Sequence, residues 1–406
     1  CATSTDIASV RSGTFAAWLS AQYAKPLGPT GWDWLNARGY ATIDSTTRYF
    51  DNTYPGDYMI WNQLMTAPDA LRKRCALALS EFLVSLSGLD FAWRSHGIAA
   101  WWDLLVANAF GTFRQLLEAV TLNPAMGYYL NTKGNLKEDP AKGRLPDENY
   151  AREVMQLFSI GLYQLNLDGT PKTDAQGNRI ESYSQADVTN LARVFTGYDI
   201  DMSQNVNTYD PVLNRNIPNT TPARLPMVLN ASRHSTLAAT FLGVTIPAGT
   251  PGATALKTAL DTLFNHPNVG PFFGRQMIQR LVTSNPSPTS PGWRPRSTTT
   301  ARACVAISRR SGRRSCLTTR PAARPDSPRP VSGACASPCC ALYSGVGRSA
   351  SAPQPAAGRL ATLATPQPSW GKVRCARPRC STISAPATCR PPPRSLPTGR
   401  WRRSSS

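Results

Sequence analysis

The densest set of side chains able to do chemistry lies between residues 147 and 156: Asp147, Glu148, Asn149, Arg152, Glu153 and Gln156. On a helix, Asn149, Glu153 and Gln156 fall at i, i+4 and i+7 and form a polar stripe beside the apolar stripe of Tyr150, Val154 and Leu157. A carboxylate flanked by amides and a guanidinium can orient and deprotonate water. Glu153 is therefore the candidate general base, with Asn149 and Arg152 orienting a substrate. The same oxygens suit a hard cation such as Ca²⁺. The structural alternative pairs Glu148 with Arg152 at i, i+4 and buries Glu153 against an arginine of another helix. Glu81 interrupts the apolar run ALALSEFLVSL, and Asp103, Asn108 and Arg114 interrupt a second one. A carboxylate there needs a cation or donors. Glu81 and Asp103 could complete an acid/base pair with Glu153, or Arg114 could hold Glu81 or Glu153 in a purely structural pair.

Further along, NLDGTPKTDAQGN (166–178) offers Asp168, Asp174 and Asn178 as oxygen ligands for Ca²⁺. The loop lacks the spacing and the terminal glutamate of an EF-hand, so a plain hairpin is the competing reading. His96, His234 and His266 occur singly, with no H-E-x-x-H, which argues against the usual zinc hydrolases. No G-x-S-x-G elbow, G-x-G-x-x-G or P-loop is present, which disfavours a standard serine hydrolase and nucleotide cofactors. Trp61, Trp101 and Trp102 are read as core aromatics rather than as a sugar platform.

The elements that must position these residues are mainly helical. Ala67 to Gly88 places Leu71, Cys75, Ala78, Leu79, Phe82 and Leu86 on one stripe before a glycine stop. Ile98 to Leu122 reads as helix with a break at Gly111, and Pro146 with Asp147 and Glu148 opens another helix. Ser184 to Thr196, Thr254 to Asn265 and Val269 to Val282 complete the set. Asp168-Gly169 and Gly177-Asn178 predict a small β-hairpin excursion over 165–183, and the Asn/Pro-rich 203–232 predicts a long surface loop. The expected architecture is a multi-helix globular domain over residues 1–287, followed by a disordered or non-native basic tail over 288–406.

Charge separates the two parts. Residues 285–406 hold 20 Arg, Lys372, a single acid (Asp326), eight of the ten Cys and 19 of the 35 Pro, whereas 1–284 hold 23 basic and 23 acidic residues. The net charge of +20 thus belongs to the tail, and nucleic-acid binding would rest on the tail alone. Such a mixture of Arg, Cys and Trp is typical of GC-rich DNA read out of frame. Codons for 331–350, VSGACASPCCALYSGVGRSA, can be chosen so that the frame one base earlier reads GFGRLREPVLRFIQWGRAFG, with helical spacing and mixed charge. Residues 298–320 behave likewise, allowing AILLDDEA in that frame. The tail is therefore read as frameshifted from about Pro288, its cysteines as neither zinc ligands nor a disulfide framework, and no nucleic-acid partner is expected. Cys1 is read as a cut point in a longer chain rather than as a lipidated terminus. No run of 18 apolar residues offers a membrane span.

LRKRCALALSEFLVS (71–85), DLLVANAFGTFRQLLEAVTLNPAMGYYL (103–130), PDENYAREVMQLFSIGLYQLNLDGT (146–170), ARVFTGY (192–198) and HPNVGPFFGRQMIQRLVTSNPSP (266–288) together resemble the bacterial "domain of unknown function 1800" family. The shifted-frame strings LREPVLRF and AILLDDEA resemble its continuation. One departure is HSTLAATFLG (234–243), where the family pattern has an acid and a lysine after the histidine. The resemblance implies a largely helical, exported bacterial protein, periplasmic or secreted, and supplies no activity. Two functions follow from the residues: a hydrolase of small esters, lactones or glycosidic bonds, with Ca²⁺ as an optional aid, or a non-catalytic export or surface-assembly protein that binds an exported protein partner.

Overall fold

The computed structural model describes residues 4–83 and 89–286. Its helices are α1 (Ser4–Ser12), α2 (Phe15–Ala24), α3 (Gly31–Asn36), α4 (Tyr54–Thr66), α5 (Ala70–Phe82), α6 (Arg94–Asn108), α7 (Phe113–Thr121), α8 (Pro124–Tyr129), α9 (Asn149–Glu153), α10 (Gln185–Val194), α11 (Gly252–Asn265) and α12 (Val269–Leu281). Three two-stranded antiparallel pairs accompany them: β1 (Tyr198–Asp199) with β4 (Val228–Leu229), β2 (Asn207–Asp210) with β3 (Arg215–Pro218), and β5 (Ala239–Phe241) with β6 (Val244–Ile246). The mainly helical architecture is the expected one. Among the described residues no helix is long and apolar enough to cross a membrane. The basic tail from residue 288 and the glycine stop at Gly88 lie outside the described residues.

One apolar cluster joins most of these elements. Leu79 of α5, Trp102 and Leu105 of α6, Leu116 and Leu117 of α7, Leu260 and Leu263 of α11 and Met277 of α12 are all buried in it. Each such side chain contributes roughly 1.5–3 kcal/mol by leaving water. The predicted stripe of α5 is buried at Cys75, Ala78, Leu79 and Phe82. The break at Gly111 is present: α6 stops at Asn108, and Thr112 restarts the chain with a capping box, its hydroxyl accepting the Gln115 N–H at 3.2 Å. Ser184 does the same for α10 with Asp187. The hairpin excursion is two successive turns, closed by Asn166 N–H to Thr170 C=O at 2.8 Å and Asp174 N–H to Asn178 C=O at 2.9 Å.

Two expectations need correction. The stretch 203–232 is not one surface loop, because it contains the β2–β3 hairpin. Ile217 of that hairpin is buried against Phe50 and Trp93, the Trp93 indole donates to Pro218 C=O at 2.6 Å, and Arg215 grips Asp51 at 2.8 Å. The helix opening at Pro146 is also not a regular α-helix. After five residues it continues as a π-helical stretch, Val154–Ser159, in which Ser159 Oγ donates to Val154 C=O at 2.5 Å. The wider turn rotates the faces, so Tyr150, Val154, Met155 and Phe158 are buried while Leu157, placed on the apolar stripe by α-helical spacing, is 40% exposed. Helices α1 to α4 and α8 were not anticipated. Trp101 and Trp102 are core residues as expected, whereas Trp61 on α4 is 45% exposed.

Candidate functional site

The 147–156 segment is held by three sets of bonds. Asp147 and Asn135 exchange hydrogen bonds, with Asp147 N–H donating to Asn135 Oδ1 at 2.9 Å and Asn135 Nδ2 donating to Asp147 C=O at 3.1 Å. The Asp147 carboxylate then accepts the Asn149 N–H at 2.8 Å and the Asn131 amide at 3.2 Å, which starts α9. Glu148 is fully committed: it accepts from Arg152 Nη2 at 3.1 Å, Gln185 Nε2 at 2.7 Å and Thr189 Oγ1 at 2.7 Å. Arg152 Nη2 also reaches Gln185 Oε1 at 3.1 Å, so this clasp ties α9 to α10. The i, i+4 pairing weighed for Glu148 and Arg152 is thus formed.

Glu153 is different. Its Oε2 is buried and receives no hydrogen bond, and no arginine of another helix meets it among the described residues. Burial raises its pKa above the ordinary glutamate value, opposed only by the charge of Arg152. Next to it, Gln156 Oε1 accepts the Tyr183 hydroxyl at 3.0 Å, and Tyr183 is near enough to feel the charges of Arg152 and Glu153. The far end of the π-helical stretch is set by Asn268, whose side-chain amide donates to Ile160 C=O at 2.9 Å, Tyr163 C=O at 2.8 Å and Ser182 Oγ at 3.0 Å. Its Oδ1 accepts the Leu165 N–H at 2.9 Å. Gly161 between them has φ +74°, and a Cβ there would lie 2.8 Å from the Phe272 ring, so only glycine fits.

The other sequence-predicted residues do not join this group. Glu81 lies near the end of α5, 45% exposed, with its carboxylate 3.7 Å from Arg280 Nε of α12. Arg114 pairs with Asp261 at 2.6 Å and Glu118 at 2.7 Å rather than with Glu81 or Glu153. Asp168 accepts the N–H and hydroxyl of Thr170 at 2.9 and 2.6 Å, and Asp174 accepts the N–H groups of Gln176 and Asn178 at 2.9 and 2.8 Å. Asp168, Asp174 and Asn178 thus close two separate turns, as the hairpin reading has it. Among the described residues no group of three or more His, Cys, Asp or Glu is placed to hold a metal ion.

Asp103 is half-buried in α6, where its two oxygens accept the N–H groups of Gly31 and Trp32 at 2.7 and 2.9 Å and so hold the start of α3. Burial pushes its pKa up to about 6 despite these donors. His96, two residues before Ile98 on the same helix, is buried between the Trp32 and Trp93 rings and is pushed down to about 4 by burial. The two act oppositely on stability. Between 3.8 and about 6 the folded state keeps the Asp103 proton that the unfolded chain has lost, so stability falls as pH rises. Between about 4 and 6.5 the folded state refuses the His96 proton that the unfolded chain takes, so stability rises with pH. Removing the first should expose the second. Asp103→Asn is expected to lose about 3 kcal/mol more than wild type on acidification across this window, read from urea midpoints at each pH; parallel curves would contradict it.

Sequence reasoning missed Tyr183 and Asn268, whose partners lie far away in the chain and leave no local signal. It also missed a small pocket lined by Arg193, His234, Ser235, Leu237, Ile246 and Thr250. There His234 Nδ1 faces Thr196 C=O at 2.9 Å, and Ser235 Oγ donates to Glu138 at 2.9 Å. A family model described as "Protein of unknown function (DUF1800)" matches residues 1–291. No curated protein and no solved structure matches the chain.

Proposed function

The chain belongs to the DUF1800 family, and on that premise we propose that it is an exported hydrolase of small esters, lactones or glycosidic bonds with Glu153 as its general base. The observation that carries this reading is the Glu153 carboxylate: half-buried, with a buried Oε2 that no donor satisfies and a raised pKa. Buried polar atoms are nearly always hydrogen-bonded, so the unsatisfied Oε2 leaves the carboxylate poised to take a proton, with the half-exposed remainder of the side chain open to a water or substrate hydroxyl. Its neighbours leave it free because Arg152 is spent on Glu148 and Gln185. In this reading Glu153 takes a proton from water as the water attacks the carbonyl or anomeric carbon, then returns it to the leaving oxygen. Asn149, one turn earlier, and the remaining N–H groups of Arg152 orient the substrate. The Tyr183–Gln156 pair fixes the wall beside it. Glu81 and Asp103 take no part, each being occupied elsewhere.

An ester, lactone and aryl-glycoside screen of the purified chain, with and without chelator, tests the proposal. It expects turnover that survives chelation and requires Glu153; a clean, folded preparation that turns over none of the three classes contradicts it. The periplasmic or secreted setting belongs to the same proposal. The family match stops at residue 291, close to the change in composition near residue 288, and the proposed site lies wholly within the matched residues.

A second reading has its own observation. Tyr54, Tyr58 and Trp61 are exposed at i, i+4 and i+7 of α4, a face suited to an exported protein partner. Partner binding at that face predicts that Glu153→Gln changes nothing in the interaction.

A further inference from the structure

Deep beneath the loop 25–31, two groups of opposite charge sit side by side without bonding. Asp69 and Lys73, one turn apart at the start of α5, each have side chains only 1% exposed, and Lys73 Nζ lies 3.9 Å from Asp69 Oδ2. That is beyond hydrogen-bonding distance. Among the described residues Lys73 Nζ has no hydrogen-bond partner, and neither has Asp69 Oδ1. Among those residues Asp69 Oδ2 takes a single donor, the Gly28 N–H at 3.3 Å. A buried ion pair is tolerated only when good geometry and further hydrogen bonds repay its desolvation, and here both are lacking. The Lys73 backbone N–H donates to Asp69 C=O at 3.1 Å, so the helical turn itself holds the two side chains together. Burial, the leading influence, disfavours the charged ammonium and makes the amine more available as a nucleophile. Asp103 is close enough for its charge to act on Lys73, and it is a second carboxyl able to accept and return a proton.

We propose that Asp69 and Lys73 are joined by an intramolecular amide, formed after folding between Cγ of Asp69 and Nζ of Lys73. The Nζ lone pair attacks Cγ, the Nζ–Cγ bond forms and the Cγ–Oδ1 bond breaks. The departing oxygen leaves as water with two of the three ammonium protons, and the third stays on the amide. Nothing is oxidised or reduced and no co-reactant is consumed. The product exchanges two poorly paired buried charges for one neutral amide, and it fastens the first turn of α5 beneath the loop that feeds α3.

The test is the intact mass of the full-length chain, followed by peptide mapping. The expected chain is lighter than its sequence by one water, with residues 69 and 73 cross-linked and resistant to hydroxylamine. Lys73→Met should have the full mass of its sequence. Asp69→Asn should reach the same mass as cross-linked wild type, because ammonia leaves in place of water. A wild-type chain of full mass overturns the proposal, and this needs no variant to fold. A water loss that maps to a hydroxylamine-sensitive succinimide, with Lys73 free, overturns it equally.

Discussion

Replacing Asn268 with alanine is expected to destabilise the protein by about 4 kcal/mol, enough to unfold much of a typical domain's margin. The residue is buried, and its two amide hydrogens are shared among Ile160 C=O, Tyr163 C=O and Ser182 Oγ while its oxygen accepts from Leu165 N–H. Alanine deprives four polar groups of this partner at once, two of them in buried bonds and two in part-buried ones, and a buried group left without a partner costs about 1–3 kcal/mol. Asn268→Asp should rescue little, because a carboxylate keeps the Leu165 contact and sets negative charge against two carbonyls. Chemical denaturation of the two variants beside wild type checks this. A loss under about 1 kcal/mol for Asn268→Ala would mean that water replaces the amide without penalty.

The second large effect is chemical. Glu153→Gln keeps the shape of the side chain and removes its ability to take a proton, so kcat on whichever substrate class is turned over should fall by about 10²–10⁴-fold. KM and the denaturation midpoint should change little, since among the described residues Glu153 Oε2 has no hydrogen bond to lose. Arg152→Met should behave differently. It breaks the clasp between α9 and α10 and should lower stability as well as rate, because Glu148 then loses its cation.

Much of the frame was legible in the residues. Spacing located α5, the break at Gly111, the helix starting at Ser184 and the twin turns at Asp168-Gly169 and Gly177-Asn178, because each depends on neighbours within four or five positions. The site was legible only in part. Glu148 with Arg152 is a local pair and could be read, but the partners that complete it, Gln185 and Thr189, arrive from α10. Leu157 was placed on the wrong face because a π-helical turn adds a residue that α-helical counting does not contain. Glu81 and Asp103 looked like buried chemistry in an apolar run. Only the fold shows that one sits near a helix end beside Arg280 and the other grips the first turn of α3. The N-terminal helices escaped notice because α2 is apolar on nearly every side and α3 is only six residues long, so neither shows a clear stripe.

The pH dependence of kcat/KM tests the central claim most directly, measured for wild type and Glu153→Gln on the ester, lactone or glycoside that reacts fastest. A desolvated general base predicts an acid limb whose apparent pKa lies above the ordinary glutamate value of 4.5, present in wild type and absent from the residual rate of the variant. The same limb in both proteins, or equal rates, would show that Glu153 is not the base.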